Sequence, residues 1–147
     1  MTDRVNEVPG RVQLVLDRSA VLGYLNADLA VGEALALLLD EIEPTYFGVH
    51  LTTLAEADRA PTVDNEDPPH RTIHLLMEHV AFTPVYLAPD DMHRLLDLAE
   101  QFDSVEMAAA LVSAYYHNGF VLTAHPRRYA NSDGVVDPRV IGFTSPR

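Results

Sequence analysis

Short apolar runs alternate with helical patterns along nearly the whole of this 147-residue chain, and no other feature constrains its fold as strongly. Residues 11–16 (RVQLVL), 45–49 (TYFGV), 83–87 (TPVYL), 120–123 (FVLT) and 139–143 read as strands, each too short and too continuously apolar for a half-exposed helix. Between them, residues 20–26, 28–43, 51–60, 70–81, 89 to about 101 and 103–117 carry helical periodicity. Ser19 precedes the first helix, Pro44 and Pro61 stop the second and third, and Asn118-Gly119 is a C-cap signal. In the second helix Leu35, Leu38, Leu39 and Ile42 share one face. Strand–helix alternation predicts a parallel sheet covered by helices on both faces, a three-layer α/β/α architecture. Residues 11–147 read as one unit behind a tail of residues 1–10, with an acidic, proline-containing loop at 62–69.

In parallel sheets, ligands bind beyond the carboxyl ends of the strands. Asp17 follows the first strand, Glu56 falls early in the helix after the second, and Glu106 opens the helix leading to the fourth. His125 follows that fourth strand. Carboxylates held together repel by about 4 kcal/mol per pair at about 4 Å with an effective dielectric of about 20. A divalent cation offsets that cost, and hard oxygen donors with water completing the shell suit Mg²⁺ or Mn²⁺. A second reading stands beside this one. Thr53-Leu-Ala-Glu56 fits a capping box, Asp103-Ser-Val-Glu106 resembles one, and Asp17 is a candidate N-cap.

Charge narrows the partners. Twenty-two acids face ten bases, for a formal net charge of −12, and every base is arginine. Broad affinity for nucleic acid or anionic membranes is disfavoured, because both depend on cations meeting phosphate. Any grip on RNA must be local, and Arg18, Arg127 and Arg128 are the arginines placed near the expected site. With no cysteine, disulfide scaffolds and thiol nucleophiles are excluded. No apolar run is long enough to span a bilayer, and residues 1–10 lack a signal-peptide core, so the expected compartment is the cytoplasm. His70, His74 and Glu78 fall at i, i+4 and i+8 but read as a solvated face. Tyr115 and Tyr116 read as packing residues, and 34–39 as core or a homodimer face.

Several blocks together resemble one family. Val15-Leu16-Asp17-Arg18-Ser19-Ala20-Val21-Leu22 resembles the opening of PIN domains, a strand followed by D-x-S-A and two apolar residues. Phe47-Gly48-Val49 followed by Leu54-Ala55-Glu56-Ala57 resembles their second block. Glu106, its Ala-rich helix, Gly119 and Val121-Leu122-Thr123 resemble their last, and His125-Pro126-Arg127-Arg128-Tyr129 is similar to the D-P-x-x-Y that often follows. The ordered set covers residues 11–143.

The resemblance implies a five-stranded parallel sheet and a Mg²⁺- or Mn²⁺-dependent endoribonuclease, with the further implication of the toxin of a toxin–antitoxin pair. It assigns Asp17, Glu56 and Glu106 as metal ligands, and Ser19 as the hydroxyl near the metal. Thr123, Arg127 and Arg128 fall on the substrate side. Two positions depart from the family: Glu106 stands where Asp is usual, and His125 where a fourth acid is usual. His125 is then a weak ligand or a proton-transfer residue. The alternative is a PIN-fold binding or regulatory protein whose metal site has decayed. Expected partners are RNA, a second copy of the chain and a basic antitoxin-like protein, with no membrane.

Overall fold

The computed structural model describes residues 11–41, 45–59, 74–86 and 89–143. Five strands form one sheet: β1 (Arg11–Leu16), β2 (Thr45–His50), β3 (Phe82–Val85), β4 (Phe120–Thr123) and β5 (Val140–Gly142). Their order is β3-β2-β1-β4-β5, and every neighbouring pair is parallel. The chain thus winds from β1 outward through β2 to β3, then returns to the other side of β1 for β4 and β5. The winding reverses between β1 and β4, which opens a crevice beyond their carboxyl ends.

Helices α1 (Arg18–Leu25), α2 (Leu29–Leu38) and α3 (Leu51–Arg59) belong to one half of the molecule, and α4 (Met92–Phe102) and α5 (Val105–His117) to the other. Alternate strand residues supply two cores. Leu14, Leu16, Phe47, Val49 and Leu122 pack with Val21, Val31, Leu35, Leu38 and Leu54 of α1–α3. Val12, Val15, Val85 and Val121 pack with Leu95 and Phe102 of α4 and the alanines of α5. Each fully buried Val or Leu contributes roughly 1.5–3 kcal/mol. Ala108, Ala109, Ala110 and Ala114 are fully buried, so α5 lies close beneath the sheet, as its small side chains permit. This is the three-layer parallel α/β architecture that the alternation predicts.

Several element boundaries differ from the sequence expectation. Helix α1 starts at Arg18, because Asp17 caps it and accepts the Ala20 N–H. Helix α2 ends at Leu38, not at 43. Its last turn tightens as Leu39 N–H bonds Ala36 O at 3.0 Å, and Leu39 is 54% exposed while Leu35 and Leu38 are buried. Leu37 is also exposed, so the 34–39 run is part core and part surface. Strand β3 begins one residue earlier than expected, at Phe82.

Residues 74–77 are helical but Glu78 lies in a turn, so His74 and Glu78 share no continuous helix. His70, Ile42, Pro44, the 62–69 loop and the 1–10 tail lie outside the described residues. Tyr116 is exposed, whereas Tyr115 is part-buried and donates its hydroxyl to Asp137. Among the described residues no single helix is long and apolar enough to cross a membrane.

The turn from α5 into β4 sets where the fourth strand starts. Asn118 takes left-handed backbone (φ 58°) as the cap, and Gly119 follows against β1. A Cβ at Gly119 would come within 2.7 Å of the Val12 and Gln13 carbonyl oxygens, so only glycine lets the two strands meet there.

Candidate metal and nucleic-acid site

A cavity of about 680 Å³ opens at the crevice between the carboxyl ends of β1 and β4. Asp17, Arg18, Ser19, Glu56, Glu106, Thr123, His125, Arg128 and Tyr129 all line it, together with Leu22, Asn26 and Leu29 on the α1–α2 side. Eight of the nine expected site residues discussed for catalysis, metal or substrate thus reach one cavity or its edge by way of five different elements, with Arg127 the exception. Arg127 is exposed on the 3-10 turn Pro126–Tyr129, outside the lining.

Asp17 is buried, and three donors hold its carboxylate. Its Oδ1 accepts the Ser19 hydroxyl at 2.6 Å and the Ala20 N–H at 3.1 Å. Its Oδ2 accepts the Tyr129 hydroxyl at 2.7 Å. Ser19 in turn is saturated. Its one proton goes to Asp17, and its lone pairs face the Ala124 N–H at 2.8 Å and the Thr123 hydroxyl at 3.2 Å. Thr123 is fully buried and also accepts the His125 N–H at 3.0 Å. Ser19 and Thr123, expected beside the substrate, therefore spend their hydrogen bonds inside the protein, tying the end of β4 to Asp17.

Glu106 enters from the first turn of α5 and is 5% exposed. One oxygen, Oε2, accepts the Arg18 N–H at 2.9 Å and the Thr53 hydroxyl at 3.0 Å. Burial, then the charge of Asp17, push its carboxyl up to about 7, against the pull of those two donors; Glu56 adds a smaller repulsion. The Asp17 charge is thus close enough to disfavour ionisation of Glu106. Glu56 lies on the exposed rim. Among the described residues, no three acids or histidines stand close enough to cage an ion by themselves.

The expected capping boxes are not what the structure builds. Thr53 lies inside α3, fully buried, and its hydroxyl reaches across to Glu106 rather than to its own helix start. That start is served by His50, whose Nδ1 accepts the Thr52 N–H at 3.1 Å. Ser104, not Asp103, caps α5 by accepting the Met107 N–H at 3.1 Å. Asp103 takes the left-handed conformation that closes α4. Asp17 is both helix cap and site residue. Sequence reasoning assigned no role to Thr53 in the site or to Tyr129. The D-P-x-x-Y-like tail marked Tyr129, but nothing local points Thr53 at a residue 53 positions away.

Fold and site together define an α/β protein with an acid-lined crevice at the switch point of its sheet. No family model matches the chain, and no curated protein matches it in sequence. Solved structures do match its fold. A toxin–antitoxin complex from Klebsiella pneumoniae is 18% identical with a TM-score of 0.57, covering 88% of this chain and 100% of its own. VapBC2 from Rickettsia felis, bound to a DNA fragment from its promoter, is 11% identical with a TM-score of 0.63, covering 92% of this chain and 100% of its own. At these identities the likeness is one of fold.

Proposed function

We propose that this chain is the toxin of a toxin–antitoxin pair, acting as a Mg²⁺- or Mn²⁺-dependent endoribonuclease of PIN type. One observation carries the reading: two buried carboxylates from separate elements, Asp17 and Glu106, share one cavity at the switch point, where burial and then the Asp17 charge push the Glu106 carboxyl up to about 7. Such a pair is costly unless a cation or a proton offsets it. The fold likeness to toxin–antitoxin complexes supports the biological half of the reading.

The donor set fits a hydrated Mg²⁺ or Mn²⁺ better than a metal needing a full protein cage. Mg²⁺ keeps several waters and takes one or two carboxylates. Glu106 Oε1 has no donor among the described residues, and Asp17 Oδ2 has one lone pair left, so these oxygens would hold the ion, with Glu56 at the rim. When bound, the ion supplies an activated water and neutralises charge on the phosphodiester. Arg18 and Arg128, both exposed on the cavity, fit the local phosphate grip that a −12 chain requires. His125, exposed just after β4 on the cavity lining, would serve as a proton-transfer residue or a weak fourth ligand. The same acidity suits a basic antitoxin-like protein as the partner.

The test is RNA cleavage in Mn²⁺ by the wild type and by Asp17→Ala. Activity in the first and its loss in the second is the expected result. Equal cleavage by both sinks the nuclease reading. Absence of both Mn²⁺ binding and cleavage in the wild type would instead favour a binding protein with a decayed site.

A further inference from the structure

We infer that Tyr129 is a positioning residue that makes Asp17 a one-oxygen ligand, by fixing which lone pair of Oδ2 is offered to the cavity. The inference rests on the cation reading above and deepens it. An ionised carboxylate has about four lone-pair sites. In Asp17, Oδ1 spends two on Ser19 and Ala20, and Oδ2 spends one on the Tyr129 hydroxyl at 2.7 Å. The single remaining site belongs to the same oxygen that Tyr129 grips. Whatever binds Asp17 from the cavity therefore meets an oxygen whose direction the phenol sets.

Tyr129 is built to hold that bond. It ends the 3-10 turn Pro126–Tyr129, is 2% exposed, and is the largest fully buried side chain among the described residues. Phe102 of α4 packs edge-on against its ring at 5.4 Å between centroids. The ring is therefore held against swinging away from the carboxylate. The contact links residues 112 positions apart and joins the turn after β4 to the end of β1. Groups that orient a metal ligand in this way typically change affinity 10–100-fold when lost.

The test is a calorimetric Mn²⁺ titration of the full chain as wild type, Tyr129→Phe and Phe102→Leu, with thermal melts of each. Tyr129→Phe keeps the ring and removes the hydroxyl. Phe102→Leu loosens the packing and keeps the hydroxyl. The inference predicts Mn²⁺ affinity at least about tenfold weaker in Tyr129→Phe and within about twofold of wild type in Phe102→Leu, although the latter melts lower. Equal or tighter binding by Tyr129→Phe, with the wild type binding normally, overturns the positioning role and leaves the cation reading standing. Equal losses in both variants also overturn it, since packing alone would then explain the effect. No Mn²⁺ binding by the wild type overturns both. Should Tyr129→Phe melt below the assay temperature, all three titrations are run in trimethylamine N-oxide, which favours the folded state.

Discussion

The Asp17 carboxylate accepts the Ala20 N–H as a helix cap and the Ser19 and Tyr129 hydroxyls as part of the site, so its two sequence readings, cap and ligand, both describe the same side chain. The local half was readable because capping involves residues three apart. The distant half was not, since Tyr129 lies 112 residues away and reaches Asp17 only when β1 and β4 pair. Ser113 shows the opposite case, a buried hydroxyl with no hydrogen-bond partner among the described residues. Leaving a buried polar group unpaired costs about 1–3 kcal/mol, and alanine is the best helix former. Ser113→Ala should therefore raise the urea midpoint, by about 1 kcal/mol of stability. A lower midpoint would mean that the hydroxyl has a use the structure does not show.

At the scale of elements, strand and helix identity followed from periodicity, whereas helix starts did not. The T-x-x-E pattern at Thr53–Glu56 reads as a capping box, but α3 begins at Leu51, directly after β2, so Thr53 is already inside it. There it is free to turn its hydroxyl onto Glu106. A capping motif requires its first residue to be non-helical, and only the sheet decides where β2 stops. The α4–α5 corner makes the same point in a testable way. Ser104 is extended and caps α5, while Asp103 sits at φ 54°. Ser104→Ala should cost about 1 kcal/mol, the usual price of a lost cap. Asp103→Gly should cost nothing, because glycine accepts the left-handed backbone without strain. Chemical denaturation of both distinguishes them, and equal losses would refute the assignment of Ser104 as the cap.

For the whole molecule, charge and pH act together. The folded state holds a proton on Glu106 near 7 that the unfolded chain releases near 4.5, so about 3 kcal/mol of metal-free stability rides on that group. That contribution is complete below about 4.5 and is lost as pH rises through 7. Burial lowers His50, His79 and His117, so their contribution is present above 6.5 and is lost as pH falls below it. His79 shows why: its Nδ1 accepts the Ala81 N–H, which a protonated ring cannot do. In EDTA, Glu106→Gln keeps an acceptor for Arg18 and Thr53 without the charge. It should be more stable than wild type at pH 8 and should lose the alkaline decline between pH 5 and pH 8. Urea midpoints at the two pH values measure this, and a variant that declines as steeply as wild type would contradict it.

By itself the sequence determined the parallel α/β class, the approximate places of the five strands, and the acids that follow them. Those features depend on neighbours a few residues apart: apolar runs, the 3.6-residue period, and residue types at strand ends. Only the tertiary structure decided what those acids do. The order β3-β2-β1-β4-β5 puts the switch point between β1 and β4, and that choice brings Asp17 and Glu106 into one cavity while leaving Glu56 on its rim. It also gave Thr53 and Tyr129 their partners, and Ser19 its bonds to Thr123 and Ala124, because those bonds close only after segments distant in sequence have come together. The −12 charge was visible from the start, but what raises Glu106 is its own burial and then the nearby Asp17 charge, neither of which any local pattern encodes.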